Sequence, residues 1–210
     1  MQKIAKHFSA VISEDAQSFK IPGRIVPKRE GPLLLNEETG LSVSLGRFSL
    51  LPSWSKEKNL KYSTHNARLD TVHEKATWRD PFINQHCVVP LDAFIEAVYS
   101  GPYAGNMLAF ESLDNEPLYA AAIFDKWSVL GEAPILSFAI ITDEADSFVS
   151  NLGHDREPIF LSKRASLEWL FKKEKNALTV QSFLRENRAE PRLKVEIERP
   201  LKAGWEKRRQ

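Results

Sequence analysis

Three apolar runs dense in β-branched and aromatic side chains, Val88 to Tyr99, Pro117 to Val129 and Ile135 to Thr142, commit the middle of this chain to a β-sheet. Such side chains are stiff in a helix and pack well on a pleated surface, and the runs are bounded by Pro, Gly or Asp. Leu41 to Leu51 alternates apolar and polar residues in its first half and reads as a further strand that ends at Pro52. Helical patterning comes late. Ser162 is placed to cap a helix running through Leu170 and Phe171, and Leu178 to Glu186 gives a second helical pattern. Arg192 to Glu198 alternates like an edge strand. With the sheet in the middle and the helices clustered behind it, the expected class is α+β rather than a doubly wound α/β fold.

A chain of 210 residues with 42% hydrophobic content can bury one sizeable core, so a single domain over residues 1–210 is expected. Twenty-nine basic residues against 28 acidic ones leave a net charge of +1, so any polyanion must meet a local patch rather than a global field. No apolar run reaches the roughly 18 residues of a membrane span, and Met1-Gln2-Lys3-Ile4 lacks the apolar stretch of a signal peptide, which points to the cytoplasm. Cys87 is the only cysteine, which excludes an internal disulfide. The histidines at 7, 65, 73, 86 and 154 have no metal-ligand spacing, so neither a metal nor a cofactor is expected.

Candidate chemistry concentrates at four places. In the run Val88 to Tyr99 the only charged side chains are Asp92 and Glu96, and Glu96 shares strand parity with Phe94 and Val98. A carboxyl among apolar neighbours has its pKa raised, which suits an acid or base working near neutrality; pairing with an arginine is the structural alternative. His154 lies in the polar segment Gly153-His154-Asp155-Arg156, a setting for proton transfer or simply a solvated turn. Asn66 and Arg68 follow a polar loop, where an amide orients a reacting group and Arg grips phosphate, or both close the loop. Trp54 and Trp78 suit either base stacking or core packing.

Taken in order, these segments resemble the SOS response-associated peptidase (SRAP) family of abasic-site processing proteins, from about Arg47 to Leu170. Arg47-Phe48-Ser49-Leu50-Leu51-Pro52-Ser53-Trp54 is similar to the family's Trp-Gly-Leu-Ile-Pro-x-Trp, and Asn66-Ala67-Arg68-Leu69-Asp70-Thr71 to Asn-Ala-Arg-x-Glu-Thr. Cys87-Val88-Val89-Pro90-Leu91-Asp92-Ala93-Phe94-Ile95-Glu96 resembles Cys-x-x-Pro-x-x-Gly-Phe-x-Glu, and His154-Asp155-Arg156-Glu157-Pro158 resembles His-Asp-Arg-Met-Pro. More loosely, the stretch from Pro22 to Pro27 resembles an Asn-x-Ala-Pro segment. The resemblance implies a mixed, mostly antiparallel, barrel-like sheet with flanking helices. It also implies a monomer that binds single-stranded DNA carrying an abasic site. In the family an N-terminal cysteine captures the opened sugar as a thiazolidine. Asn66 would position that sugar, Glu96 would assist proton transfer and His154 would act on ring opening, while Arg68, Arg156, Trp54 and Pro27 would face the DNA.

The chain departs from the family where it begins. The family starts Met-Cys-Gly-Arg-Phe, whereas here Gln2 follows Met1, so no thiazolidine is expected at residue 2. The Met1 α-amine, with an ordinary pKa of about 8, is the remaining nucleophile for a Schiff base and β-elimination, if it reaches the pocket. Cys87 reads as a buried structural thiol. Ser49 replaces a glycine, and Glu157 replaces a methionine and is expected to put an anion beside the DNA groove. The alternatives are a non-catalytic lesion- or junction-binding paralogue and, last, a self-processing peptidase.

Overall fold

In the computed structural model, which describes residues 1–209, the first half runs α1 (Gln2–Phe8), β1 (Val11–Ile12), α2 (Glu14–Ser18), β2 (Glu30–Glu37), β3 (Gly40–Phe48), β4 (Asn66–Arg68), α3 (Arg79–Asn84), β5 (His86–Leu91) and β6 (Ala93–Val98). The second half runs β7 (Asn106–Ser112), β8 (Leu118–Trp127), β9 (Ile135–Glu144), α4 (Ser147–Asn151), β10 (Arg156–Pro158), β11 (Phe160–Leu161), α5 (Lys163–Leu170), α6 (Ala177–Glu186), β12 (Arg188–Ala189) and β13 (Leu193–Pro200). Five strands close on themselves in the order β9-β3-β2-β5-β8 and back to β9. Only the β3–β9 pairing is parallel, so the expected mixed, mostly antiparallel, barrel-like sheet is what forms. No helix among the described residues is long and apolar enough to cross a membrane.

Alternation along each barrel strand divides the core in two. Leu34, Val43, Val88, Ala121 and Ile141 pack with Ile4, Ala5 and Phe8 of α1, Phe82 of α3, Trp169 of α5, and Val180 and Leu184 of α6. Their neighbours of opposite parity, including Leu33, Leu35, Cys87, Val89, Ala120, Ala122 and Phe138, pack with Phe94, Val98, Leu108 and Phe110 from a second, three-stranded sheet ordered β13-β7-β6. Trp169 is fully buried and still satisfies its indole N–H, which donates to the Cys87 and Ala122 carbonyls at 3.0 and 3.1 Å. Both predicted helices form. Ser162 Oγ accepts from Ala165 N at 3.1 Å, and Asn176 Oδ1 caps α6 through Leu178 N at 3.0 Å.

Two strand expectations are corrected. Val88 to Tyr99 is not one strand: the chain bends at exposed Asp92, sending β5 into the barrel and β6 into the second sheet, where Phe94 stacks on Phe110 at 4.7 Å. Apolar periodicity records that a segment is half-buried, not which sheet it joins. The strand expected to end at Pro52 ends at Phe48, because Ser49 takes φ +148°, outside the β region of ordinary residues. Among the elements that carried no signal strong enough to be read from sequence are α1, β2 and β7.

Candidate functional site

Glu96 sits on β6 between Phe94 and Val98, both buried in the second core. Its side chain keeps 26% exposure, and burial raises its pKa, with Asp155 adding to the rise and His154 opposing it. His154 arrives from another element. Asp146 caps α4 by accepting from Val149 N at 2.8 Å, and α4 ends in a turn closed by Gly153 N donating to Ser150 O at 3.0 Å. Gly153 has φ +99°, and a Cβ there would lie 2.0 Å from Ser100 O. Only glycine lets the α4 turn lie against the β6–β7 hairpin, and this close approach brings His154 Nε2 to 3.5 Å from Glu96 Oε2.

The other ring nitrogen is anchored on backbone. His154 Nδ1 lies 2.6 Å from the Arg156 carbonyl and 3.3 Å from the Arg156 N–H, so the Arg156 backbone holds the ring through that nitrogen. Nε2 is then the nitrogen that faces Glu96, whose carboxyl holds its proton more tightly than usual because of burial. Glu96 and His154 stand as a carboxyl–imidazole pair 3.5 Å apart, both mostly shielded from water.

Asn66 begins β4 and pairs in register with Ile140 of β9, which packs against the same core as Phe94 and Val98. Ala67, of opposite parity, is buried in the helix-covered core. Asn66 thus presents its amide on the face that carries Glu96 and His154, and Arg68, two residues on, is exposed on that face. Arg156 is held rather than free: its Nη2 donates to Thr142 O at 3.0 Å and lies 3.5 Å from Asp70 Oδ1. Trp54 is 57% exposed with its indole N–H on Ala76 O at 3.3 Å, whereas Trp78 belongs to the core. Pro27 is exposed and lines a cavity beside His65.

Met1 belongs to the other cluster. It packs against the helix-covered core together with Ile4, Ala5 and Phe8, on the side of the barrel sheet opposite the one that Phe94 and Val98 cover. Glu157 also departs from expectation: it is 4% exposed and ion-paired with Arg188, so it is a buried anion and not a charge on a DNA groove. Cys87 is fully buried, and burial pushes its thiol pKa well up, which makes it inert. Sequence reading missed Gly153 and Asp70 as positioning groups; the positive φ that demands glycine is visible only in three dimensions.

Fold and site together define a class: an α+β protein with a small mixed barrel and an Asn, a Glu and a His gathered on one face. Two crystal structures share the fold, one of a protein from Bordetella bronchiseptica (TM-score 0.75, 22% identity, covering 93% of this chain and 94% of that one) and one from Bacteroides thetaiotaomicron (TM-score 0.75, 21% identity, 94% and 88%). The chain belongs to the SOS response associated peptidase (SRAP) family, whose model matches residues 1–198. Among its relatives, the abasic site processing protein YoaM of Bacillus subtilis is 29% identical over 161 residues, 76% of this chain and 70% of the relative. The abasic site processing protein HMCES of Mus musculus is 31% identical over 154 residues, 59% of this chain and 43% of the relative.

Proposed function

We propose that this protein binds single-stranded DNA at abasic sites in the response to DNA damage. The opened sugar lies between the Asn66 amide and the Glu96–His154 pair, and Arg68 meets the phosphate backbone. The observation that supports this reading is the Glu96–His154 pair, brought to 3.5 Å from two separate elements and facing the core on whose side strand parity places Asn66. An abasic sugar interconverts between a closed hemiacetal and an open aldehyde by moving one proton off the anomeric hydroxyl and another onto the ring oxygen. A carboxyl and an imidazole held side by side suit that exchange. Covalent capture by residue 2 is not part of the proposal, because Gln2 has no thiol, and Met1 lies across the sheet. That placement favours lesion recognition without a bond over a Schiff-base lyase, and over self-processing as a peptidase.

The test is a binding titration and a gel. Purified protein is titrated with a single strand carrying one abasic site, the intact strand and the duplex, and then incubated with the abasic strand with and without borohydride. Saturable preference for the abasic single strand, with no trapped adduct, is expected. Equal affinity for the three would refute lesion recognition, and a borohydride-trapped adduct would refute the non-covalent reading.

A further inference from the structure

The geometry points to a second nucleotide subsite: the cavity of about 270 Å³ beside β4, walled by Lys28, Arg47, Lys61, Tyr62 and His65, takes the nucleotide next to the lesion, its base stacked on Tyr62 and its phosphate on the three cations. This rests on the reading of the Asn66 face as a lesion site, and it adds a neighbour to that site. His65 and Asn66 are consecutive, so the cavity adjoins the start of β4, where the lesion face begins.

Four observations converge there. First, the cations have no carboxylate partners among the described residues. Arg47 donates only to the Lys58 carbonyl at 3.1 Å, and Lys28 and Lys61 form no ion pair, whereas nearby Lys58 is paired with Glu132. Arg47 is partly desolvated without compensation, which lowers its pKa, and a phosphate would supply the missing charge. Second, Tyr62 is held by its polar end and not by its ring. Its hydroxyl lies 3.4 Å from Thr77 Oγ1 while the residue stays 51% exposed. Third, Trp54 is anchored in the same manner on Ala76, the residue before Thr77, so two exposed aromatic rings flank one short segment. An aromatic fixed through its heteroatom with its face in solvent is a platform for a base. Fourth, among the described residues four non-glycine residues take a positive φ, and two of them, Lys28 at +71° and Ser49 at +148°, line this cavity. Strain of this kind gathers where function requires a fixed geometry.

Adjacent cations and aromatics identify the ligand class. A sugar or an acyl chain needs no cluster of unpaired cations, and a bare phosphate needs no ring; a nucleotide unit of a single strand uses both. Duplex bases, stacked on one another, have no free face to offer Tyr62.

Fluorescence anisotropy on the full chain tests this with short single strands that carry a central tetrahydrofuran abasic analogue. In two of them bases are retained on only the 5′ or only the 3′ side of the lesion; in the third every flanking nucleotide is abasic. Tyr62→Ala is expected to weaken binding about 5-fold or more for at least one of the two one-sided strands, the range of a lost base stack, and to leave the fully abasic strand unchanged. Tyr62→Phe, which keeps the ring, should bind like the parent. Arg47→Gln should weaken all three strands and reduce the slope of log affinity against log salt by about 1. Wild-type preference for abasic DNA with no Tyr62→Ala effect, or with an equal loss on the fully abasic strand, overturns the subsite and leaves the lesion reading standing. Loss of abasic preference in the wild type removes the lesion reading itself.

Discussion

Replacing Gly153 by alanine tests whether the Glu96–His154 pair depends on two backbones touching. The new Cβ would sit 2.0 Å from Ser100 O, 2.8 Å from Ser100 C and 2.9 Å from Val98 Cγ1, whereas real Cβ atoms essentially never approach closer than 3.0 Å. Backbone cannot rotate away as a side chain can, so the α4 turn must retreat from the hairpin by about 1 Å, carrying His154 with it. The left-handed φ of +99° costs an alanine roughly 1–2 kcal/mol. Losing the hydrogen bond from Ser100 Oγ to Gly153 O, 3.3 Å long, costs about 1 kcal/mol more. The sum is about 2–3 kcal/mol before any loss of packing around Val98. Gly131→Ala is the internal control, since Gly131 has φ +86° and nothing within 4 Å of its Cβ position. It should cost only the φ strain, about 1–2 kcal/mol. Denaturant unfolding of the two variants, read at equal m, gives the difference directly. If Gly153→Ala is no less stable than Gly131→Ala, the close approach is not what holds His154 in place and the account of the site's geometry is wrong. In the DNA titration the Gly153 variant should also lose abasic preference, while the Gly131 variant keeps it.

Other consequences follow from burial and strain. The pKa of Glu96 is raised in the fold, so the folded state binds that proton more tightly, and stability falls as pH rises from the ordinary value of 4.5 through the raised one. Glu96→Gln should therefore be more stable than the parent at pH 8, with the gap closing below pH ~4.5; a constant gap across that range would contradict it. Ser49→Gly, which relieves φ +148° in a buried residue, should raise stability by about 0.5–1 kcal/mol in thermal melts, and a lower melting temperature would count against strain there. Arg188→Met strands the buried carboxylate of Glu157 and should cost about 3–5 kcal/mol at pH 7, with most of it recovered by adding Glu157→Gln. Cys87 should react with a thiol reagent only at the rate of unfolding, whereas fast labelling in native buffer would contradict its burial.

What the sequence revealed and what it hid divide along physical lines. The barrel's central strands were legible because β8 and β9 are long, apolar and β-branched, α5 because Ser162 caps it, and α6 because Leu178 to Glu186 keeps a helical pattern. The break at Asp92 was not legible, since both sides of it are equally apolar. Nor was α1, whose seven residues have no side-chain cap and depend on packing Ile4, Ala5 and Phe8 against the barrel. In the site, Glu96 announced itself as an isolated acid in an apolar strand. Its partner could be named from motif order but not placed, because the closeness of His154 depends on Gly153 meeting Ser100 across 53 residues of chain. Glu157, expected to put an anion beside a DNA groove, is instead buried against Arg188, and the guanidinium of the adjacent Arg156 contacts Thr142 and Asp70.

The surroundings of Arg156 bear on the chemistry. Its guanidinium contacts Thr142 and Asp70, while its backbone holds the His154 ring through Nδ1. Nε2 is then the nitrogen that meets Glu96, an acid whose pKa burial raises, and among the described residues it meets no other carboxylate at ion-pair distance. Such a pair can move a proton onto and off a sugar oxygen many times without forming a bond to carbon. A stable covalent product needs a nucleophile on the same face, and the residue the family uses for it lies, in this chain, at the start of a helix packed against the other one. On the proposed reading, recognition and proton exchange would reside in Asn66, Glu96 and His154, on the face of the barrel sheet opposite the one against which α1 packs.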